Sequence, residues 1–284
     1  MSQPFGPSPG SPNPYQSSGV QTPFAPQYAP APAFKPIDRL QYLRMYQYIF
    51  ENPNWMMNIL LPALCGLIPV IGPLVLLGYQ YEVVIALLGT GGLRYPDFDF
   101  NRFVDYLIRG LWPFLVQLIA SVILVPLYFL FVIPMMLLVG AAGNAGDDAA
   151  PIIFLLGMAI FMIVLISVAI LLAVFLMPMQ LRAGLTSDFA QGFSFSWAMG
   201  FVKKTWVEMF LGLLFLMFTS MVLGILGALA CYIGLFFVMP LIFLAQAHFL
   251  YELYLLFLSR GGEPVPIKLQ QPPTQGGFAP PGAY

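Results

Sequence analysis

Three ionisable residues fall inside apolar stretches and are the first candidates for chemistry: Glu82, His248 and Glu252. His248 and Glu252 stand at i and i+4, so a helix puts both on one face. Glu82 closes the run Gly78-Tyr79-Gln80-Tyr81-Glu82, about 10 Å from the end of its helix at 1.5 Å per residue. A charged side chain at mid-membrane costs roughly 2.5–3.5 kcal/mol on insertion scales, so each needs a partner or a path to an interface. Gln80, Gln246 and Tyr251 fall at a comparable level, and Gln180 and Arg182 close another apolar stretch there. The spacing predicts one polar cluster in the cytoplasmic leaflet, built from Glu82, Gln246, His248 and Glu252 with Arg182 within reach. Such a cluster could bind a solute or a lipid headgroup. The plain alternative is that these groups cap one another or snorkel to the interface. One His with two carboxylates could also ligate zinc, but this spacing recurs in many helices and no metal or other cofactor is assigned.

Other catalytic signals are absent. The sequence has no GxSxG, no HExxH and no GxxxxGK[ST]. Cys65 and Cys231 lie in apolar surroundings and read as small buried hydrophobes rather than a disulfide or metal pair. The expectation is a protein that is not an enzyme. With 284 residues, 60% hydrophobic and 8% charged, the chain has more apolar surface than a soluble core can hide, which makes it a polytopic membrane protein. A net charge of −1 without a basic face excludes nucleic acid as a partner.

The elements that must position these residues begin with Met56 to Gly89. As one helix this stretch would reach about 50 Å, against a hydrocarbon core of roughly 30 Å. Pro69, Gly72 and Pro73 interrupt it. Two helices, about Met56–Leu67 and Pro73–Gly89, are predicted, forming a broken or re-entrant hairpin. Four long spans follow, about Leu111–Val139, Pro151–Gln180, Trp206–Leu229 and Tyr232–Leu258. The fold class is therefore all-α.

Amphipathic helices are expected on the cytoplasmic side. Ile37, Leu40, Leu43, Tyr46 and Phe50 form one apolar stripe. In a second, Phe100, Phe103, Val104, Leu107, Ile108 and Leu111 line one face, with Asn101, Arg102, Asp105 and Arg109 toward water or phosphates. A third helix carries Phe193, Trp197 and Phe201 and ends at Lys203 and Lys204, with Lys204 and Glu208 as a surface pair. The second and third echo each other at a spacing of ninety-five residues: Phe98 and Phe100 with Phe193 and Phe195, Tyr106 with Phe201, Arg109 with Lys204. Trp55, Trp112, Trp197 and Trp206 read as interfacial anchors.

Residues 1–36 and 261–284 are rich in Pro, Gln and Gly and are expected to be disordered tails flanking a helical domain over 37–260. The polar, proline-rich start does not read as a signal peptide. With the hairpin returning to its own side, all eleven Lys and Arg residues fall on one side, and the other holds only Asp147 and Asp148. By the positive-inside rule the basic side, with both termini, is cytoplasmic, and the membrane is the plasma membrane.

Asn52-Pro53-Asn54-Trp55, Leu67 to Pro73, Gly78 to Glu82 and the Phe98–Phe103 region occur in an order shared with a known family. Leu176 to Gly184 and Cys231 to His248 continue the match. Over about Leu43–Phe257 the chain resembles the bacterial and archaeal membrane family named domain of unknown function 4013. The resemblance implies an integral membrane protein with no assigned activity, so it transfers no catalytic residue. The proline-rich N-terminal tail is not part of what is shared. The expected function is non-catalytic: organising the membrane, regulating, or binding a cytoplasmic protein partner through the tails. The alternative is a small-solute or lipid carrier using the polar cluster, and an intramembrane enzyme stands behind both.

Overall fold

The structure is a computed structural model and describes residues 28–29, 36–143, 150–230 and 233–268. Residues 1–27 with most of the N-terminal tail, Asp147 and Asp148, Cys231, and residues 269–284 lie outside the described residues, and so do the expectations that fall on them. The described chain is almost wholly helical. Its elements are α1 (Arg44–Glu51), α2 (Trp55–Gly66), α3 (Ile71–Thr90), a 3-10 turn (Phe100–Arg102), α4 (Phe103–Gly143), α5 (Ala150–Thr186), α6 (Phe189–Gly192), α7 (Phe195–Leu229) and α8 (Ile233–Ser259). A two-stranded ladder, β1 (Tyr28–Ala29) with β2 (Ile267–Lys268), is antiparallel, Tyr28 opposite Lys268.

The hairpin is present as α2 and α3, and α4, α5, α7 and α8 are the four long helices. Among the described residues five helices are long and apolar enough to cross a membrane, α3 among them. Between α2 and α3, Val70 adopts a positive φ of 67° and Ile71 N–H bonds to the Pro69 carbonyl at 2.7 Å. Gly72 is required there, because a Cβ would collide with the Cys65 carbonyl. Gly91 and Gly92, both with positive φ, end α3. Asp99 caps the 3-10 turn by accepting from Asn101 N–H at 2.9 Å.

The long helices run further than expected. The interfacial stretch before Leu111 runs into its span within α4 as expected, and the one carrying Trp197 does not end at Lys203 and Lys204 but continues through α7. The span expected to end at Gln180 continues as α5 through Thr186. Nothing in those stretches removes a backbone donor, so the ladder continues.

Two amphipathic stripes are divided between buried and exposed positions. In the N-terminal helix the buried residues are Met45, Tyr48 and Ile49, while Leu43 is 70% and Phe50 52% exposed. The segment descends antiparallel to α8, and this sets the face. Ser259 Oγ donates to the Ile37 carbonyl, Gln41 N–H to Glu252 at 2.8 Å, and Tyr48 OH to the Leu244 carbonyl at 2.6 Å. In α4, Val104 and Ile108 are exposed, whereas Tyr106 and Arg109 are buried. Close helix packing turned that face inward. A Cβ at Gly78 would collide with the Tyr106 carbonyl, and one at Gly110 with the Leu74 carbonyl, so α3 and α4 run antiparallel with backbones in contact. The ninety-five-residue echo survives in burial, since Tyr106 and Phe201 are both fully buried, but not at Arg109 and Lys204. Lys204 donates instead to the Arg260 and Gly261 carbonyls.

The bundle has two unlike ends. At one, α8 is buried from Ala247 through Leu258, packed by the 37–51 segment, the end of α3, the start of α7 and residues 263–267. At the other, α5 from Ile152 to Leu171, much of α7 and the start of α8 expose large apolar side chains. Residues 261–268, expected to be tail, belong to the packed end: Val265 and Ile267 are buried, and Val265 N–H bonds to Tyr254 OH at 2.8 Å.

Candidate functional site

Four of the places where polar residues meet bear on a site, and the expected single cluster is divided: Glu82, the His248–Glu252 pair and Gln246 fall in different ones and Arg182 in none of them. Glu82 is gripped by α4. Arg109 Nε lies 2.8 Å from Glu82 Oε1 and Arg102 Nη2 lies 3.2 Å from Oε2. Arg109 is 1% exposed, and its remaining nitrogens donate to the Gly184 carbonyl at 3.3 Å and the Lys268 carbonyl at 3.0 Å. One guanidinium thus joins α3, α4, the end of α5 and β2. Sequence reasoning placed Arg109 toward water or headgroup phosphates. The missed signal was that Arg102, Tyr106, Arg109 and Gly110 share a stripe, the same face by which Gly110 meets α3.

His248 and Glu252 meet the N-terminal segment, not Glu82. Glu252 accepts from Gln41 N–H, and His248 Nδ1 lies 3.8 Å from Glu252 Oε1, beyond hydrogen-bond reach. The imidazole sits between the rings of Tyr48 and Tyr251, with centroids at 4.7 and 5.5 Å. α3 packs on α8, but the contact aligns Tyr251 with Gly92 instead of bringing Glu82 to Glu252. Arg182 donates to Gln191 at 3.0 Å and lies over the Trp197 ring.

The third place is a clasp between the two loops. The Asp97 carboxylate accepts from the side chains of Asn52, Asn54 and Asn58 at 3.0, 2.6 and 2.8 Å. Asn58 Oδ1 in turn accepts from Phe98 N–H at 2.8 Å, and Tyr95 OH donates to the Ile49 carbonyl at 2.9 Å. These hydrogen bonds, led by that of Asn58, hold the Asp97 carboxyl below the ordinary carboxylate range. Burial pushes the Tyr95 phenol up to about 12.

The fourth is a cavity of about 520 Å³ between α3, α4, α5, α7 and α8, whose lining includes Gln80, Gln117, Gln180 and Gln246. Gln246 is therefore placed with Gln80, on the other side of α3 from the Arg109 contact. Among the described residues no three of His, Cys, Asp and Glu gather as a metal site.

Of the four tryptophans, Trp206 is exposed and Trp55 half-buried with its ring against Phe50. Trp112 is half-buried. Trp197 is buried against Phe201 and Phe257, and its Nε1–H donates to the Glu263 carbonyl at 3.0 Å. Its ring belongs to the packed end rather than to an exposed anchor. Glu208 pairs with Arg260, not with Lys204.

A family model described as "Protein of unknown function (DUF4013)" matches residues 61–232. That range takes in the hairpin break, the Gly78–Glu82 run and both arginines that hold Glu82. No curated protein and no solved structure matches the chain.

Proposed function

Since the chain belongs to the family described as protein of unknown function (DUF4013), a description that names no reaction, we propose a role from its own geometry. It is a non-catalytic, multi-pass membrane protein that presents a cytoplasmic platform to a protein partner. The observation that carries this reading is the joining of both chain ends on the packed end of the bundle. Residues 37–48 run along α8, β2 is held by Arg109, and β1 pairs with β2. The two proline-rich segments thereby start side by side. The half with exposed apolar helices suits lipid, and the packed half suits water. Arg94, Arg102, Lys203, Lys204, Arg260 and Lys268 all belong to the packed half, so the positive-inside rule turns it to the cytoplasm of a plasma membrane. The amphipathic α1 is part of the platform's wall.

The buried charges support a structural rather than catalytic use of this end. Glu82, Arg109 and Glu252 are engaged by protein groups that tie loops and the C-terminal segment to the bundle. The test is crosslinking in native membranes with the full chain, a chain lacking residues 1–27 and one lacking residues 269–284. A partner held by the full chain, lost from both truncated chains and recovered in the reciprocal capture, is expected. Equal capture by all three would overturn the reading.

A further inference from the structure

The cavity between α3, α4, α5, α7 and α8 has a lining that the ion pairs and the clasp do not use. Gln80, at the middle of α3, is 2% exposed, and neither its Oε1 nor its Nε2 has a hydrogen-bond partner among the described residues. A buried carboxamide left unpaired costs on the order of 1–3 kcal/mol, so a protein rarely keeps one without an occupant for it. Gln246, at the middle of α8, lines the same space, and Gln117 bonds to Gln180 across another part of the wall. Apart from Tyr81 the remaining wall is apolar, with Leu172, Leu176, Leu213 and Phe243 among it. Its volume is that of a small-molecule site.

We infer that this cavity binds an uncharged, hydroxyl-headed lipid of the diacylglycerol class. The lining contains no Asp, Glu, Lys, Arg or His. A phosphate, carboxylate or ammonium would lose its water there without gaining an opposite charge. Water alone leaves the long apolar wall without contacts. A hydroxyl is both donor and acceptor, which is what a carboxamide with a free oxygen and a free nitrogen requires. Entry is from the lipid phase, since Ala169 and Gln117 at the rim are exposed on helices whose outer faces are apolar. The glycerol head sits between Gln80 and Gln246, and the first methylenes of the chains lie along Leu172, Leu176 and Leu213.

The experiment uses the full chain in phosphatidylcholine nanodiscs and a diacylglycerol carrying a diazirine in its acyl chain near the head. Photolabelling is expected on peptides from α5 or α7 that line the cavity. Unlabelled dioleoylglycerol should compete, and phosphatidic acid with the same chains should not. Gln80→Leu should lower labelling about tenfold, as expected for losing hydrogen bonds to a buried headgroup. It should leave the melting temperature unchanged or raised, because it removes an unpaired amide. Gln246→Leu serves where the Gln80 variant does not fold, with the same expected loss. Labelling that either folded variant leaves unchanged, that phosphatidic acid competes for equally, or that falls outside the cavity would overturn the inference.

Discussion

Glu82 shows how one residue's role follows from its partners more than from its position in an apolar run. Its carboxylate meets a fully buried guanidinium and a partly exposed one, so the two arginines are not equivalent. Removing the carboxylate leaves Arg109 buried with only carbonyl acceptors. Glu82→Gln is therefore expected to destabilise the protein by about 3–5 kcal/mol, the usual cost of breaking a buried pair. Glu82→Leu combined with Arg109→Met should cost less than the two single changes added together. Arg102→Gln should cost well under either, because solvent screens that pair. Unfolding of each variant in lipid nanodiscs measures this, and strictly additive losses would mean the residues act separately. The sequence identified Glu82 as needing a partner because solvation cost depends only on residue type and run length. It did not identify which partner, because that depends on the rotation of α4 about its axis. An apolar stripe facing lipid and one facing a core look the same in sequence, and Val104 and Ile108 are exposed where a water-soluble helix would bury them.

At the scale of elements, the hairpin was legible because proline and glycine act locally. The break falls at 67–70, where Pro69 lacks a donor and Gly72 lets the chain close on the Cys65 carbonyl, whereas Pro113, Pro126 and Pro134 lie inside α4 without ending it. The continuity of the interfacial stretch with its span was legible for α4 but not for α7, where Lys203 and Lys204 read as an end although neither removes a backbone donor. Helix contact adds its own demand. Gly78→Ala or Gly110→Ala should force α3 and α4 apart, since either Cβ meets backbone that cannot swing away. A loss of at least about 1–3 kcal/mol is expected, in the range of overpacking, with weakened pairing of Glu82 to Arg109. Gly89→Ala, where a Cβ meets nothing, is the control and should be near neutral. The loop clasp makes a prediction in pH. Asp97 has a depressed pKa, so the folded chain binds that proton less readily than the unfolded one. The clasp's contribution is complete above the ordinary carboxylate range and is lost as pH falls through the folded value. Melting temperatures measured between about pH 6 and pH 3 should therefore drop more steeply for the natural chain than for Asp97→Asn. Parallel curves would show that the clasp does not depend on ionised Asp97.

For the whole molecule, what composition made legible was the membrane class, and what it hid was a second layer. Apolar content alone assigns the end of α3 and the second half of α8 to the bilayer. In the structure these are the most buried parts of the chain, wrapped by the 37–51 segment and by residues 263–267. A span that faces lipid on one side stays open on that side, so burial all round marks a protein core instead. Glu82, His248 and Glu252 sit among protein groups in the packed end, which removes most of the insertion cost that made them conspicuous. With the packed end turned to the cytoplasm, as proposed, an impermeant thiol reagent should distinguish the two ends in intact cells, in a background with Cys65→Ser and Cys231→Ser. Ala145→Cys, between α4 and α5, should be labelled from outside. Leu93→Cys, at a position 74% exposed in the α3–α4 loop, should be labelled only after the membrane is opened, and so should a cysteine at Gly261. Labelling of position 93 from outside would mean that α2 and α3 together make a single crossing. The two chain ends would then lie on opposite sides, and the β1–β2 ladder could not form.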